Sequence, residues 1–103
     1  MSPDARVLVI AATTHELAPP GDWDALVCGV GPVEASAASA AAIAARRPSA
    51  VVHVGIAGAR RAAGIPLLSL IVGSSSVYSD LDRASPFAPS TITGDDRLLA
   101  AVQ

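Results

Sequence analysis

The feature that most constrains this chain is an alanine-rich segment that lies between two short apolar runs. Residues 33–47 follow a proline, begin close to a glutamate and end with two arginines, an order that suits the first turn and the dipole of a helix. The apolar runs at residues 25–28 and 50–55 are typical of strands buried on both faces. A strand, a helix and a strand within roughly thirty residues predict a βαβ unit and therefore a parallel sheet.

Other apolar runs extend the predicted sheet. Residues 7–12 predict a first strand and residues 67–72 a fourth, because continuous apolar runs suit strands that are buried on both faces. Residues 77–78 continue the fourth strand or form a short neighbour after it. Strands that alternate with a helical segment in this way place the chain in the α/β class.

The carboxyl-terminal third is expected to be less regular. Residues 80–93 contain two prolines, which interrupt helices and central strands. A last helix is expected from residue 95, with Thr93 as its cap. A length of 103 residues is that of one small domain, so residues 1–103 are expected to form a single α/β domain.

The composition argues against two classes of partner. Aromatic residues make up 3% of the chain, and seven arginines with no lysine face nine acidic residues, for a net charge of -2. The chain therefore lacks the stacking surface and the basic stripe that bind nucleic acid. The longest alanine-rich stretch, residues 35–45, falls far short of the roughly 20 residues that span a bilayer. We expect neither nucleic acid nor membrane as a partner.

The single cysteine, Cys28, has no partner for a disulfide or for a cysteine-based metal site. This cysteine usage is typical of the reducing cytoplasm. Asp80 and Asp82 have no histidine or cysteine beside them and make a poor metal-ligand set. We expect a cytoplasmic protein with no cofactor and no metal, in which Cys28 is a small core residue.

Three turns form the candidate site, because ligands of open α/β sheets gather beyond the carboxyl ends of the strands. They are residues 13–16, 29–32 and 55–58. The glycines of the second and third turns let backbone amides approach a ligand or, alternatively, only allow tight strand-to-helix packing. Thr13 and Glu16 in the first turn have the spacing of a capping box.

The Gly-x-Gly pattern at residues 29–31 matches neither of the common nucleotide motifs. Glu34 occupies the position of the third glycine of the dinucleotide fingerprint. A phosphate-binding P-loop needs a lysine, and the chain has none. The pattern alone therefore identifies no ligand.

Four segments in order resemble the nucleoside phosphorylase superfamily and, within it, the nucleosidase branch, which includes methylthioadenosine/adenosylhomocysteine nucleosidase and futalosine hydrolase. The segments are residues 9–16, 29–35, 53–59 and 77–82. The resemblance implies a three-layer αβα phosphorylase-like fold with a mostly parallel or mixed twisted sheet. It also implies that this chain is the amino-terminal half of the family domain. The other half would hold the groups that protonate the purine and grip the ribose hydroxyls.

The resemblance also implies site residues. Glu16 matches the first-loop glutamate that positions and activates the attacking water, and its alternative role is that of the capping box. The residues implied in substrate binding form the turns beside the ribose, its 5′ substituent and the base. They are Gly29, Val30, Gly31, Val33, Gly55, Ile56, Ala57 and Gly58.

The same resemblance bears on the nucleophile and on the assembly. His53 stands where phosphate-using members have an arginine, and the three turns contain no arginine, so the phosphate site is expected to be absent and water to attack. The alternative for His53 is that of a buried strand histidine. Arg60 and Arg61 are expected to be solvated. Phe87 lies in a loop from which relatives reach a neighbouring active site, so a homo-oligomer, a dimer, is expected.

Three functions remain open on the sequence. The first is a purine-type nucleosidase that hydrolyses the N-ribosidic bond of a small-molecule nucleoside, with Glu16 as the water-activating base. The second is a truncated, catalytically inactive fragment of the same family that binds nucleosides or dimerises, and that self-associates through an unpaired sheet edge and an apolar face. The third is a pyroglutamyl-peptidase-like protein with Cys28 as nucleophile, although no supporting pattern surrounds that cysteine.

Overall fold

A computed structural model of the chain describes residues 6–17, 21–80, 86–87 and 90–102. The chain divides into two compact units, Met1–Ala59 and Arg60–Gln103. The first unit contains a sheet and a helix, and its elements are β1 (Val7–Ala11), a 3₁₀ helix (Thr14–Glu16), β2 (Asp24–Val27), α1 (Pro32–Arg46) and β3 (Ala50–His53).

The sheet of the first unit is parallel throughout. Its strand order is β2-β1-β3, with Val9 opposite Ala25 on one side and opposite Val52 on the other. The chain leaves β2 through α1 and returns to the sheet as β3, on the far side of β1. The predicted βαβ unit and the α/β class are therefore confirmed, and each of these elements lies within one or two residues of its predicted bounds.

The core of the first unit lies between α1 and one face of the sheet. Leu8, Ile10, Cys28 and Ala42 are buried there, and Leu26, Ala35 and Ala38 pack against them. The small alanine side chains of α1 allow the helix to lie close to the strands, which is why an alanine-rich segment suits this position. Cys28 is a free, buried cysteine, as expected for a small core residue.

The residues at the two ends of α1 explain where the helix begins and ends. Gly31 is the amino-terminal cap, and Pro32 stands in the first turn, where its missing N–H leaves no bond unmade. At the other end, Arg47 adopts a left-handed conformation with φ 47°, and its N–H donates to the carbonyl of Ile43 at 2.9 Å. Pro48 follows directly, so the helix cannot continue.

The second unit contains a short hairpin and a helix. Its elements are a 3₁₀ helix (Arg61–Ala63), β4 (Ser75–Val77), β5 (Thr91–Thr93) and α2 (Asp96–Val102). β4 and β5 pair antiparallel, with Ser76 opposite Ile92. The expectation that residues 80–93 are irregular is wrong at their end, because β5 falls there. Residues 81–85 and 88–89 lie outside the described residues.

Two predictions for the second unit are corrected. Residues 67–72 form no strand: they begin with a turn, and Leu68 has φ 64°. An apolar run becomes a strand only when a neighbour pairs with it, and no described residue does so here. The cap of α2 is Asp95 rather than Thr93, because Asp95 Oδ1 accepts hydrogen bonds from the N–H groups of Arg97 and Leu98 at 3.0 and 3.1 Å.

Candidate active site at the carboxyl edge of the sheet

The three strands of the first unit end at one edge of the sheet. Ala11 lies opposite Val27, and Ile10 lies opposite His53. The hydrogen-bond ladder continues one step beyond β2 and β3, where Cys28 N–H donates to the Ala11 carbonyl and Val54 N–H donates to the Ile10 carbonyl, both at 2.9 Å. The three predicted turns therefore leave the sheet side by side.

Glu16 brings the first turn against the third. It is the last residue of the 3₁₀ helix that follows β1, and its Oε2 atom lies 3.7 Å from the position that a Cβ would occupy on Gly55. This distance is an ordinary van der Waals contact, so a glycine at residue 55 leaves the carboxylate uncovered by any side chain there. A half-buried carboxylate at the carboxyl edge of a parallel sheet is a candidate general base.

The capping box that offered an alternative role for Glu16 does not form. The side chain of Thr13 makes no capping hydrogen bond, and the link between the two residues is the backbone bond from Glu16 N–H to the Thr13 carbonyl at 3.3 Å. A capping box needs both side chains to bond reciprocally. The Glu16 carboxylate is thus not occupied by capping.

The second turn owes its two glycines to backbone conformation. Gly29 has φ 88° and Gly31 has φ 96°, values that side-chain-bearing residues adopt only at a cost. A Cβ on Gly29 would also lie 3.2 Å from the Cβ of Glu34, tighter than ordinary packing. The sequence pattern did not indicate that Glu34 would lie beside Gly29. In the sequence, Glu34 served only to distinguish this turn from the dinucleotide motif.

The residues predicted to bind substrate surround this edge. Gly29 is half-buried and the other seven are exposed. Three of them present large apolar side chains to solvent: Val30 is 73% exposed, Val33 77% and Ile56 85%. These apolar side chains flank the glycine-rich backbone of the second and third turns.

His53 and His15 occupy different positions at the same edge. His53 is the last residue of β3 and is exposed, so its alternative role as a buried strand histidine is wrong. His15 precedes Glu16 in the 3₁₀ helix and is also exposed. Neither histidine is fixed by a hydrogen bond to another described residue.

The remaining predicted residues lie in the second unit. Arg60 and Arg61 are exposed, as expected of solvated residues, and so are Tyr78, Asp80 and Phe87. Asp82 lies outside the described residues. Among the residues that the structure describes, no group of three or more His, Cys, Asp or Glu side chains is arranged to hold a metal ion, and no helix has the length and apolarity needed to cross a membrane.

Comparison with known proteins identifies the family. Residues 25–103 match the family model described as the phosphorylase superfamily, a match that includes the second and third turns and begins after Glu16. No curated protein and no solved structure matches the chain significantly. Since the family model covers well over half of the sequence, the chain belongs to the phosphorylase superfamily.

Proposed function

We propose that the chain acts in the hydrolysis of the N-ribosidic bond of a purine-type nucleoside, with Glu16 as the base that activates water. The observation that carries the proposal is the position of the Glu16 carboxylate, 3.7 Å from the Cβ position of Gly55 at the carboxyl edge of the sheet. Superfamily membership supports the reaction class, since it implies nucleoside phosphorylase or nucleosidase activity.

The chemistry suits a carboxylate in this place. As the bond between the sugar C1′ and the base nitrogen breaks, the electron pair leaves with the base and the sugar gains positive charge. A carboxylate beside C1′ stabilises that charge and takes a proton from the attacking water, whose oxygen forms the new bond to C1′. The leaving base takes up a proton from solvent and Glu16 returns its proton to solvent, so the products are the free base and a ribose derivative with a hydroxyl on C1′.

Water, rather than phosphate, fits the charges at this edge. A dianionic phosphate is commonly held by arginine or lysine side chains, and residues 13–16, 29–32 and 55–58 contain neither. At residue 53, where the sequence resemblance places an arginine in phosphate-using relatives, this chain has an exposed histidine. We therefore propose the hydrolytic activity of the nucleosidase branch.

Substrate binding would depend on the second and third turns. Gly29 and Gly31, which have positive φ angles, directly precede the amino-terminal end of α1, where hydroxyl-rich or anionic groups are favoured. The exposed side chains of Val30, Val33 and Ile56 would pack against the ribose, its 5′ substituent and the base.

The test is release of free base by the wild-type chain and by a Glu16→Gln variant. Methylthioadenosine, adenosylhomocysteine, futalosine and inosine would be assayed in parallel. We expect kcat to fall by about 10²–10⁴-fold in the variant, the usual contribution of a general base, because glutamine keeps the shape of the side chain and cannot accept the proton.

The matched control is Asp22→Asn, which neutralises an exposed carboxylate in the same β1–β2 connection. Its kcat should stay within about twofold of the wild type. An equal loss in both variants, or full activity of Glu16→Gln, would contradict the proposed role of Glu16. Nucleoside binding without any base release by the wild type would instead favour the non-catalytic alternative, a nucleoside-binding member of the family.

A further inference from the structure

His53 is a hydrogen-bonding side chain at the carboxyl edge of the sheet that the proposed hydrolysis does not yet use. It is the last residue of β3, and its Cα lies opposite that of Ile10 in β1. Residues that lie opposite each other in a parallel ladder project from the same face of the sheet. Ile10 is buried in the core with Ala42 of α1, so His53 projects from the face on which α1 packs.

The carboxylate of Glu16 lies on the same face of the sheet. Successive residues of a strand alternate between faces, so Gly55, two positions after His53, directs its Cβ position to the side from which His53 projects. The Oε2 atom of Glu16 lies 3.7 Å from that Cβ position. The pairing of β3 with β1 extends to Val54, whose N–H donates to the carbonyl of Ile10 at 2.9 Å. The imidazole and the carboxylate therefore share one side of the edge.

The distance between the two side chains suits a molecule held between them. Two residues of a strand rise about 6.6 Å, which separates the side chain of His53 from the Cβ position of Gly55 along β3. In the described part of the chain, no hydrogen bond or ion pair joins the imidazole to Glu16. Polar groups that are too far apart for a direct bond are commonly bridged by a water.

The backbone of His53 is fixed while its ring is free. The ladder to β1 holds the backbone on both sides of the residue, and the side chain is exposed. A neutral imidazole has one nitrogen that accepts a hydrogen bond, and a carboxylate only accepts. His53 and Glu16 therefore present two hydrogen-bond acceptors to the same space.

His15 is adjacent to Glu16 in the sequence, but it does not share this arrangement. Both residues belong to the three-residue 3₁₀ helix Thr14–Glu16, in which consecutive side chains lie about 120° apart around the axis. The side chain of His15 therefore leaves the helix in a different direction from the carboxylate. An exposed histidine next to Glu16 that faces elsewhere is a matched control for His53.

We propose that His53 holds the water that attacks C1′, together with Glu16; this inference rests on the proposed hydrolysis. The water donates one hydrogen to the imidazole nitrogen and the other to the Glu16 carboxylate, which leaves an oxygen lone pair directed at C1′. The new bond forms between the water oxygen and C1′ as the electron pair of the broken bond leaves with the base. The proton facing Glu16 passes to that carboxylate, and the hydrogen facing His53 stays on the product hydroxyl.

The first test compares the kinetics of His53→Leu, His53→Gln and the control His15→Leu, with the nucleoside that the wild type hydrolyses fastest. We expect kcat to fall about tenfold or more in His53→Leu with KM nearly unchanged, because leucine accepts no hydrogen bond from the water. The side-chain carbonyl of glutamine accepts one, so His53→Gln should recover part of the loss. In His15→Leu, both constants should stay within about twofold of the wild type.

The second test combines His53→Leu with Glu16→Gln. Two residues that act on one water lose their effect together, so the double variant should be little slower than Glu16→Gln alone. A residue that only supports the fold would instead multiply the two losses. Circular dichroism checks that each variant folds, and if His53→Leu does not, His53→Gln replaces it in both tests.

The possible contrary results are distinct from one another. Base release that requires Glu16 and is unchanged in His53→Leu would overturn this inference and leave the proposed function intact. A raised KM with unchanged kcat would place His53 against the nucleoside rather than the water, and multiplied losses in the double variant would give it a structural role. A wild-type chain that releases no base would overturn the proposed function and this inference together.

Discussion

Gly31 of the candidate site is required by the backbone itself, whatever ligand binds there. Gly31, the cap of α1, has φ 96° and ψ 157°, a region of conformational space that is almost confined to glycine. Gly58, in the third turn, lies outside the positive-φ range, and a Cβ there would meet nothing within 4 Å. Substitutions at the two positions therefore distinguish a glycine that the backbone conformation requires from one that only lies in open space.

We expect Gly31→Ala to lower the free energy of unfolding by about 1–3 kcal/mol, the usual cost of a side chain in such a conformation. Gly58→Ala should change it little or raise it by about 0.4–1 kcal/mol, because alanine restricts the unfolded chain. Urea denaturation followed by circular dichroism measures both. Equal destabilisation by the two substitutions would show that the conformation of Gly31 is not the cause.

Glu16 is the residue on which the proposed chemistry depends, and the sequence supported two roles for it. Its spacing from Thr13 is that of a capping box, but the reciprocal side-chain bonds are not made. The proximity of its carboxylate to Gly55 could not be derived from spacing alone, because it depends on where β3 lies in the sheet. Only the strand order β2-β1-β3 makes the first and third turns neighbours.

At the scale of elements, α2 depends on a cap that the structure identifies as Asp95. One Asp95 carboxylate oxygen accepts hydrogen bonds from two backbone N–H groups of the first turn. We expect Asp95→Ala to destabilise α2 by about 1 kcal/mol, the typical cost of a lost cap. Thr93→Ala is the control and should have no such effect, because Thr93 belongs to β5.

Hydrogen–deuterium exchange of the amides of residues 98–102 measures this prediction directly, since a helix without its cap opens more often. Faster exchange in Asp95→Ala than in Thr93→Ala is the expected result. The reverse order would restore Thr93 as the cap.

The elements of the first unit could be predicted from the sequence because their signals are local. A proline in the first turn of α1 and another shortly after its end, with apolar runs on either side, define the βαβ unit without reference to distant residues. Residues 67–72 carry an equally clear apolar signal, but the structure forms no strand there. An apolar composition shows that a segment can form a strand. Whether it does so depends on a neighbouring strand, which the composition does not identify.

At the scale of the whole molecule, the family match and the candidate site cover different parts of the chain. The family model matches residues 25–103, which includes β2 except for its first residue, α1, β3 and all of the second unit. Glu16 lies before that range, so the family match supports the fold and the reaction class while the position of Glu16 supports its role. The proposed function rests on both together.

The distribution of cationic side chains over the whole chain bears on whether water or phosphate is the nucleophile. All the cationic side chains are arginines, and those of the first unit, Arg6, Arg46 and Arg47, lie outside the three turns. Phosphorolysis requires positive charge beside the leaving bond to hold the anion, whereas hydrolysis requires a base. In our proposal Glu16 of the first unit is that base.

The most direct test of the central claim is the dependence of base release on phosphate, with identification of the sugar product. The wild-type chain would be incubated with each of the four nucleosides in phosphate-free buffer and again with added phosphate. We expect the same rate in both and a sugar product that carries no phosphate at C1′. A rate that rises with phosphate, together with a ribosyl 1-phosphate product, would contradict the account and assign the chain to the phosphorolytic members of the superfamily.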